Sequence, residues 1–103
     1  MEPCSGGAVD NMKRVLLVED DEALRVTQSF YLKREGFEVC VEADRSAARN
    51  RLGREPFHVV VTDLRLGRES GLDVVRDVRE LQPAAEILVI TGYSSVELSL
   101  IHI

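Results

Sequence analysis

The chain contains no tryptophan, two cysteines and three prolines, and aromatic residues fill only 5% of its 103 positions. Two cysteines, Cys4 and Cys40, are too few for a disulfide framework and show no metal-ligand spacing. We expect both as reduced thiols. No apolar run approaches the ~20 residues of a membrane-spanning helix. The N-terminus shows no basic stretch followed by an apolar one, so no secretory signal is expected. With 13 basic residues against 18 acidic ones, the formal net charge is −5. An acidic surface is repelled by phosphates, which argues against direct nucleic-acid contact. The apolar fraction of 45%, in a chain of this length, suits one globular domain.

Three apolar runs end in oxygen-bearing side chains. Val59-Val60-Val61-Thr62 ends in Asp63, and Val15-Leu16-Leu17-Val18 ends in Glu19-Asp20-Asp21-Glu22. Ile87-Leu88-Val89-Ile90 ends in Thr91-Gly92. Continuous β-branched and aliphatic runs of this length read as strands buried on both faces. In open parallel α/β sheets, chemistry gathers at the carboxyl ends of the strands. Three such ends side by side would hold a hard cation and a phosphoryl group.

The rest of the chain alternates. Strands are expected at 14–18, 37–42, 58–62 and 86–91, and helices at 21–35, 44–54 and 71–81. Acidic residues open the first helix and Gly36 stops it. Leu24, Thr27, Tyr31 and Leu32 form its expected inner face, and Leu72, Val75 and Val78 that of the third helix. Residues 65–70 read as a loop, and Ser94-Ser95 as the cap of a fourth helix. Strands alternating with helices give a doubly wound parallel α/β sheet. Arg45, Arg49, Arg51 and Arg54 read as a solvated helix face, and His58 as a structural residue.

Magnesium takes oxygen ligands and keeps several waters. Glu19, Asp20 and Asp63 supply the oxygens, and a divalent ion relieves their mutual repulsion. Asp63 is also a candidate nucleophile, because a carboxylate can accept a phosphoryl group. Thr91 can donate its hydroxyl to a phosphoryl oxygen, and Gly92 leaves the approach open.

These motifs, with Asp63-Leu64-Arg65-Leu66 followed by Gly71-Leu72, and Ile90-Thr91-Gly92-Tyr93, resemble the receiver domain of a two-component response regulator. The resemblance covers residues 12–97 and implies a flavodoxin-like receiver fold of strand order 2-1-3-4-5. It implies Asp63 as phosphoacceptor, Glu19 and Asp20 as the metal-binding pair, the backbone carbonyl of Arg65 as a further Mg2+ ligand, and Thr91 as the switch hydroxyl. Asp21 is not assigned to the metal. It further implies a sensor histidine kinase as partner, receiver–receiver dimerisation in a longer protein, a cytoplasmic location, and control of a C-terminal output expected to be transcriptional. The domain would catalyse its own phosphorylation without being a metabolic enzyme.

Two departures stand out. Gly67 replaces a proline common in the family, which should loosen the loop after Asp63. The family's lysine, in a Lys-Pro pair after the fifth strand, has no counterpart, so the last strand and helix are expected to be missing. Leu98-Ser99-Leu100-Ile101-His102-Ile103 can be encoded by CTG TCT CTT ATA CAC ATC, which resembles the constant end of a transposase-type sequencing adapter. The expected organisation is therefore a disordered tail at 1–11, with Met12 as natural start, an incomplete receiver domain at 12–97 and a non-native tail at 98–103.

Two other functions compete. A phosphohydrolase of the haloacid dehalogenase type would need a second aspartate two residues after the nucleophile, where this chain has Arg65. A phosphorylation-independent interaction domain would not need the set of Glu19, Asp20, Asp63 and Thr91.

Overall fold

The computed structural model describes residues 12–90 and the backbone of 100–102. Strand β1 (Arg14–Val18) is buried from Val15 to Val18 because layers lie on both its faces. Helix α1 (Glu22–Arg34) starts at Asp21, whose side chain accepts the Leu24 N–H at 3.0 Å. Glu22 in its first turn and Lys33 and Arg34 in its last complement the helix dipole. The chain then reverses at Gly36, where φ of +96° suits only a residue without a side chain.

Strand β2 (Glu38–Glu42) leads to helix α2 (Arg45–Leu52), capped by Asp44 through the Ala47 N–H. Strand β3 (Val59–Asp63) follows. The expected loop after it is a hairpin of β4 (Arg65–Leu66) and β5 (Glu69–Ser70). Ser70 caps helix α3 (Gly71–Leu81) by accepting the Leu72 N–H at 3.1 Å. Strand β6 (Glu86–Ile90) and a short β7 (Leu100–His102) complete the described elements.

The main sheet has the order β2-β1-β3-β6-β7, and its first four strands are parallel. This is the expected doubly wound sheet, with β6 as the fourth strand of the sequence reading. One core packs Leu16, Val18, Cys40, Val60, Ile87 and Val89 against Ala48 and Leu52 of α2 and Val74, Val75 and Val78 of α3. The other sheet face buries Val15, Leu17, Val39, Val61 and Ile90, with Leu32 of α1 packed on it. Register pairs Val18 with Thr62, and Asp63 with Ile90, so the carboxyl ends of β1, β3 and β6 lie level.

Several expectations need correction. Of the expected inner face of α1, Leu24, Thr27 and Tyr31 are exposed and Leu32 alone is inward; the stripe is Arg25, Gln28, Ser29 and Leu32. These positions are spaced i, i+3, i+4, i+7, so the helical period is kept but its inner face is largely polar. Leu72 is 47% exposed, whereas Val74 and Asp77 are buried. The arginines of α2 are not simply solvated. Arg45 and Arg49 pair with Asp77 of α3, and Arg51 pairs with Glu42 and Glu55. Cys40 is buried and disulfide-bonded, against the reduced thiol expected, and the chain's other cysteine, Cys4, lies outside the described residues.

The outer edge of β6 is occupied. Leu100–His102 pairs antiparallel with it, Ile90 opposite Leu100 and Leu88 opposite His102. Antiparallel pairing follows from the short connection, since a parallel return needs a crossover of about a dozen or more residues. A fifth parallel strand and its helix are absent among the described residues, and the helix expected after Ser94 lies outside them.

Candidate functional site

At the carboxyl edge of the sheet, Glu19 and Asp20 follow β1 and Asp63 ends β3. One carboxylate oxygen from each lies within 4.8 Å of the other two. The three differ in environment: Glu19 is 1% exposed, Asp63 is half-buried and Asp20 is open to solvent. The Glu19 backbone N–H donates to the Glu42 carbonyl at 3.0 Å, which extends the pairing of β1 with β2 by one residue. Its Oε2 accepts the Asp21 N–H at 3.1 Å. Burial pushes the Glu19 carboxyl up to about 7, against the lowering effect of that N–H, and the charges of Asp63 and Asp20 push the same way. Three carboxylates gathered this closely match a cation in charge and in ligand type. The hard oxygen donors fit magnesium or calcium and not a soft metal.

Asp63 is held by its own loop. Its Oδ1 accepts the Arg65 N–H at 3.2 Å, and its carbonyl accepts the Thr62 hydroxyl at 3.0 Å. The Leu64 N–H reaches the Ile90 carbonyl at 2.8 Å, and the Gly71 N–H reaches the Leu64 carbonyl at 2.7 Å. Gly71 needs to be glycine for want of space: a Cβ there would overlap the Asp63 carbonyl oxygen and stand 2.9 Å from its carbon. The loop beyond is the β4–β5 hairpin. Gly67 turns the hairpin with φ of +62°, and a Cβ on it would lie 3.7 Å from Asp20 Oδ2. The hairpin tip therefore sits beside the acidic cluster, in a turn that favours glycine over the family's proline.

The other candidates are distributed as follows. Arg65 lies on β4 with its side chain exposed. Asp21 has one carboxylate oxygen engaged in capping α1. Thr91, Gly92 and Tyr93 lie outside the described residues. His58 stands at the opposite end of β3, where its Nδ1 accepts the Arg14 N–H at 2.9 Å. The sequence reading missed Arg25, which donates from Nη1 to the Glu19 carbonyl at 2.8 Å and to the Asp20 carbonyl at 3.4 Å. The sequence offers only a weak signal for it, a cation four residues after the capping Asp21.

Comparison with known proteins places this geometry. The family model of the response regulator receiver domain matches residues 15–101. The alginate biosynthesis transcriptional regulatory protein AlgB of Pseudomonas putida is 34% identical over 90 residues, which are 87% of this chain and 20% of the relative. The chain thus spans about a fifth of that protein. The response regulator receiver protein CpdR of Brucella abortus is 34% identical over 88 residues, 85% of this chain and 73% of the relative. A response regulator from Burkholderia pseudomallei, solved with a phosphorylated aspartic acid, a calcium ion and citrate, superposes with a TM-score of 0.74 at 37% identity, over 82% of this chain and 49% of that one. No described helix is long and apolar enough to cross a membrane. A sheet with its acids gathered at the β1–β3 switch point, and a family match spanning nearly all of it, lead to one assignment: the chain belongs to the response regulator receiver domain family, whose members are signalling switches and not metabolic enzymes.

Proposed function

We propose that Asp63 is the phosphoacceptor and that Glu19, Asp20, Asp63 and the backbone carbonyl of Arg65 hold a magnesium ion beside it. The observation that carries this reading is the meeting of three carboxylates within 4.8 Å at the end of β3. A phosphohistidine of a sensor kinase is the donor. As the phosphorus–oxygen bond to Asp63 forms, the donor's phosphorus–nitrogen bond breaks and the histidine takes up a proton. The product is an acyl phosphate on Asp63. Magnesium, when bound, neutralises charge on the transferred group. The chain's own contribution is positional. Arg65 N–H and the Thr62–Asp63 hydrogen bond fix the nucleophile, and the close approach of Gly71 fixes the loop behind it. That these groups are in place before a donor arrives supports the reading that the domain catalyses its own phosphorylation.

Thr91, the next residue in sequence after β6, is the hydroxyl that would follow the phosphoryl group. The output is transcriptional in AlgB by that protein's name, and we extend this to the longer protein to which this domain would belong, working in the cytoplasm and dimerising through its receivers. The test is labelling with acetyl phosphate in Mg2+. The native chain should gain one phosphoryl group and Asp63→Asn none.

A further inference from the structure

We infer that Arg25 is a positioning residue of the acidic site, an assignment that rests on the reading of that site given above. The paired residues of β1 end at Val18, and one further ladder bond, from the Glu19 N–H to the Glu42 carbonyl, closes the β2 side. The carbonyls of Glu19 and Asp20 lie beyond it, in the two residues that must aim their carboxylates at Asp63. Arg25 projects from the first turn of α1 and takes both carbonyls with one guanidinium nitrogen, at 2.8 and 3.4 Å. Its own backbone N–H donates to the Asp21 carbonyl at 2.8 Å, so helix and loop are tied at two points. A half-buried guanidinium on the inner face of a helix is costly unless acceptors there satisfy it. Here the acceptors are the peptide groups that set the directions of the Glu19 and Asp20 side chains. The guanidinium also places a positive charge behind a cluster of negative ones.

Arg25 touches no reacting atom, so its effect must be read through the site. The experiment measures Mg2+ binding by calorimetry, and metal-free melting, for the native chain, Arg25→Ala, Arg25→Lys, Lys33→Ala and Asp20→Ala. Loss of an outer partner of a metal ligand typically weakens binding by about 10–100-fold; because Arg25 holds the peptide carbonyls and not the ligand oxygens, and its charge opposes the cation's, Arg25→Ala should weaken binding by about tenfold, the lower end of that range. Arg25→Lys, with a single ammonium for two carbonyls, should recover part of the loss. Lys33→Ala removes an exposed cation from the same helix and should bind like the native chain. Native-like Mg2+ affinity in folded Arg25→Ala would overturn the assignment and leave only a structural role. If the alanine variant does not fold, the lysine variant decides, and full native affinity in it overturns the assignment. A native chain that does not bind Mg2+, or an Asp20→Ala variant that binds it unchanged, overturns the reading of the site itself and Arg25's role with it.

Discussion

Glu19→Gln should stabilise this domain when metal is absent. Glu19 is 1% exposed, and its carboxyl is raised from 4.5 to about 7 by burial and by Asp63 and Asp20. The unfolded chain releases this proton near 4.5, so between these values the folded state holds more protons than the unfolded one. Stability must then fall as pH rises from about 4.5 through 7. The shift corresponds to about 3 kcal/mol at pH 8, at 1.36 kcal/mol per pH unit, and to almost nothing below pH 4.5. Glutamine keeps an oxygen for the Asp21 N–H and carries no charge. At pH 8 it should therefore raise the metal-free melting temperature, on the order of 10 °C for a domain of this size. At pH 4.5 the gap should nearly close. Saturating Mg2+ should reverse the order, because the native carboxylate gains a partner that the amide cannot replace. The assay is a pair of thermal melts across pH 4.5 to 8, with chelator and with Mg2+. A gap that does not change with pH would refute the claim that Glu19 is held protonated by its site.

Gly71→Ala should cost about 1–3 kcal/mol, the usual range for overpacking, because the new methyl group meets the Asp63 backbone. It should also slow labelling of Asp63, read by acetyl phosphate time courses. Asp77→Asn breaks the pairs from Arg45 and Arg49 and should cost about 1–3 kcal/mol at neutral pH, less than a fully buried pair because both arginines are partly exposed. Burial alone would raise Asp77, but hydrogen bonds from Arg45 and Arg49 hold it below the ordinary aspartate value. Its stabilisation is thus lost as pH falls through that depressed value, and the difference from the asparagine variant should shrink in acid melts. Asp20→Ala should weaken Mg2+ binding more than Asp21→Ala, by metal titration, since Asp21 has an oxygen engaged as a helix cap.

Much of this architecture was legible because hydrophobic runs mark buried strands directly. Residues 15–18 and 59–61 are apolar without alternation, and each run is buried on both faces or nearly so. The ends of those runs carry Glu19, Asp20 and Asp63, the three carboxylates that the fold brings together. Helix faces were read less well. In α1 the inward stripe is Arg25, Gln28, Ser29 and Leu32, and apolar periodicity cannot find a polar face chosen for the carbonyls it meets. In α2 the arginines looked solvated because their partner, Asp77, sits 32 residues from Arg45 and is brought near only by packing against α3. The hairpin at 65–70 is two short strands around Gly67, too brief to leave a pattern. Pairing of β6 with Leu100–His102 depends on an open edge and a short connection, neither of which is a property of the paired residues.

The central claim is that Asp63 carries the phosphoryl group with help from the acids beside it. Intact-mass measurement after incubation with acetyl phosphate and Mg2+, on the native chain, Asp63→Asn and Asp20→Ala, tests it most directly. One phosphoryl adduct on the native chain, none on Asp63→Asn and a much slower appearance on Asp20→Ala is the expected result. An adduct of equal yield on Asp63→Asn would contradict it.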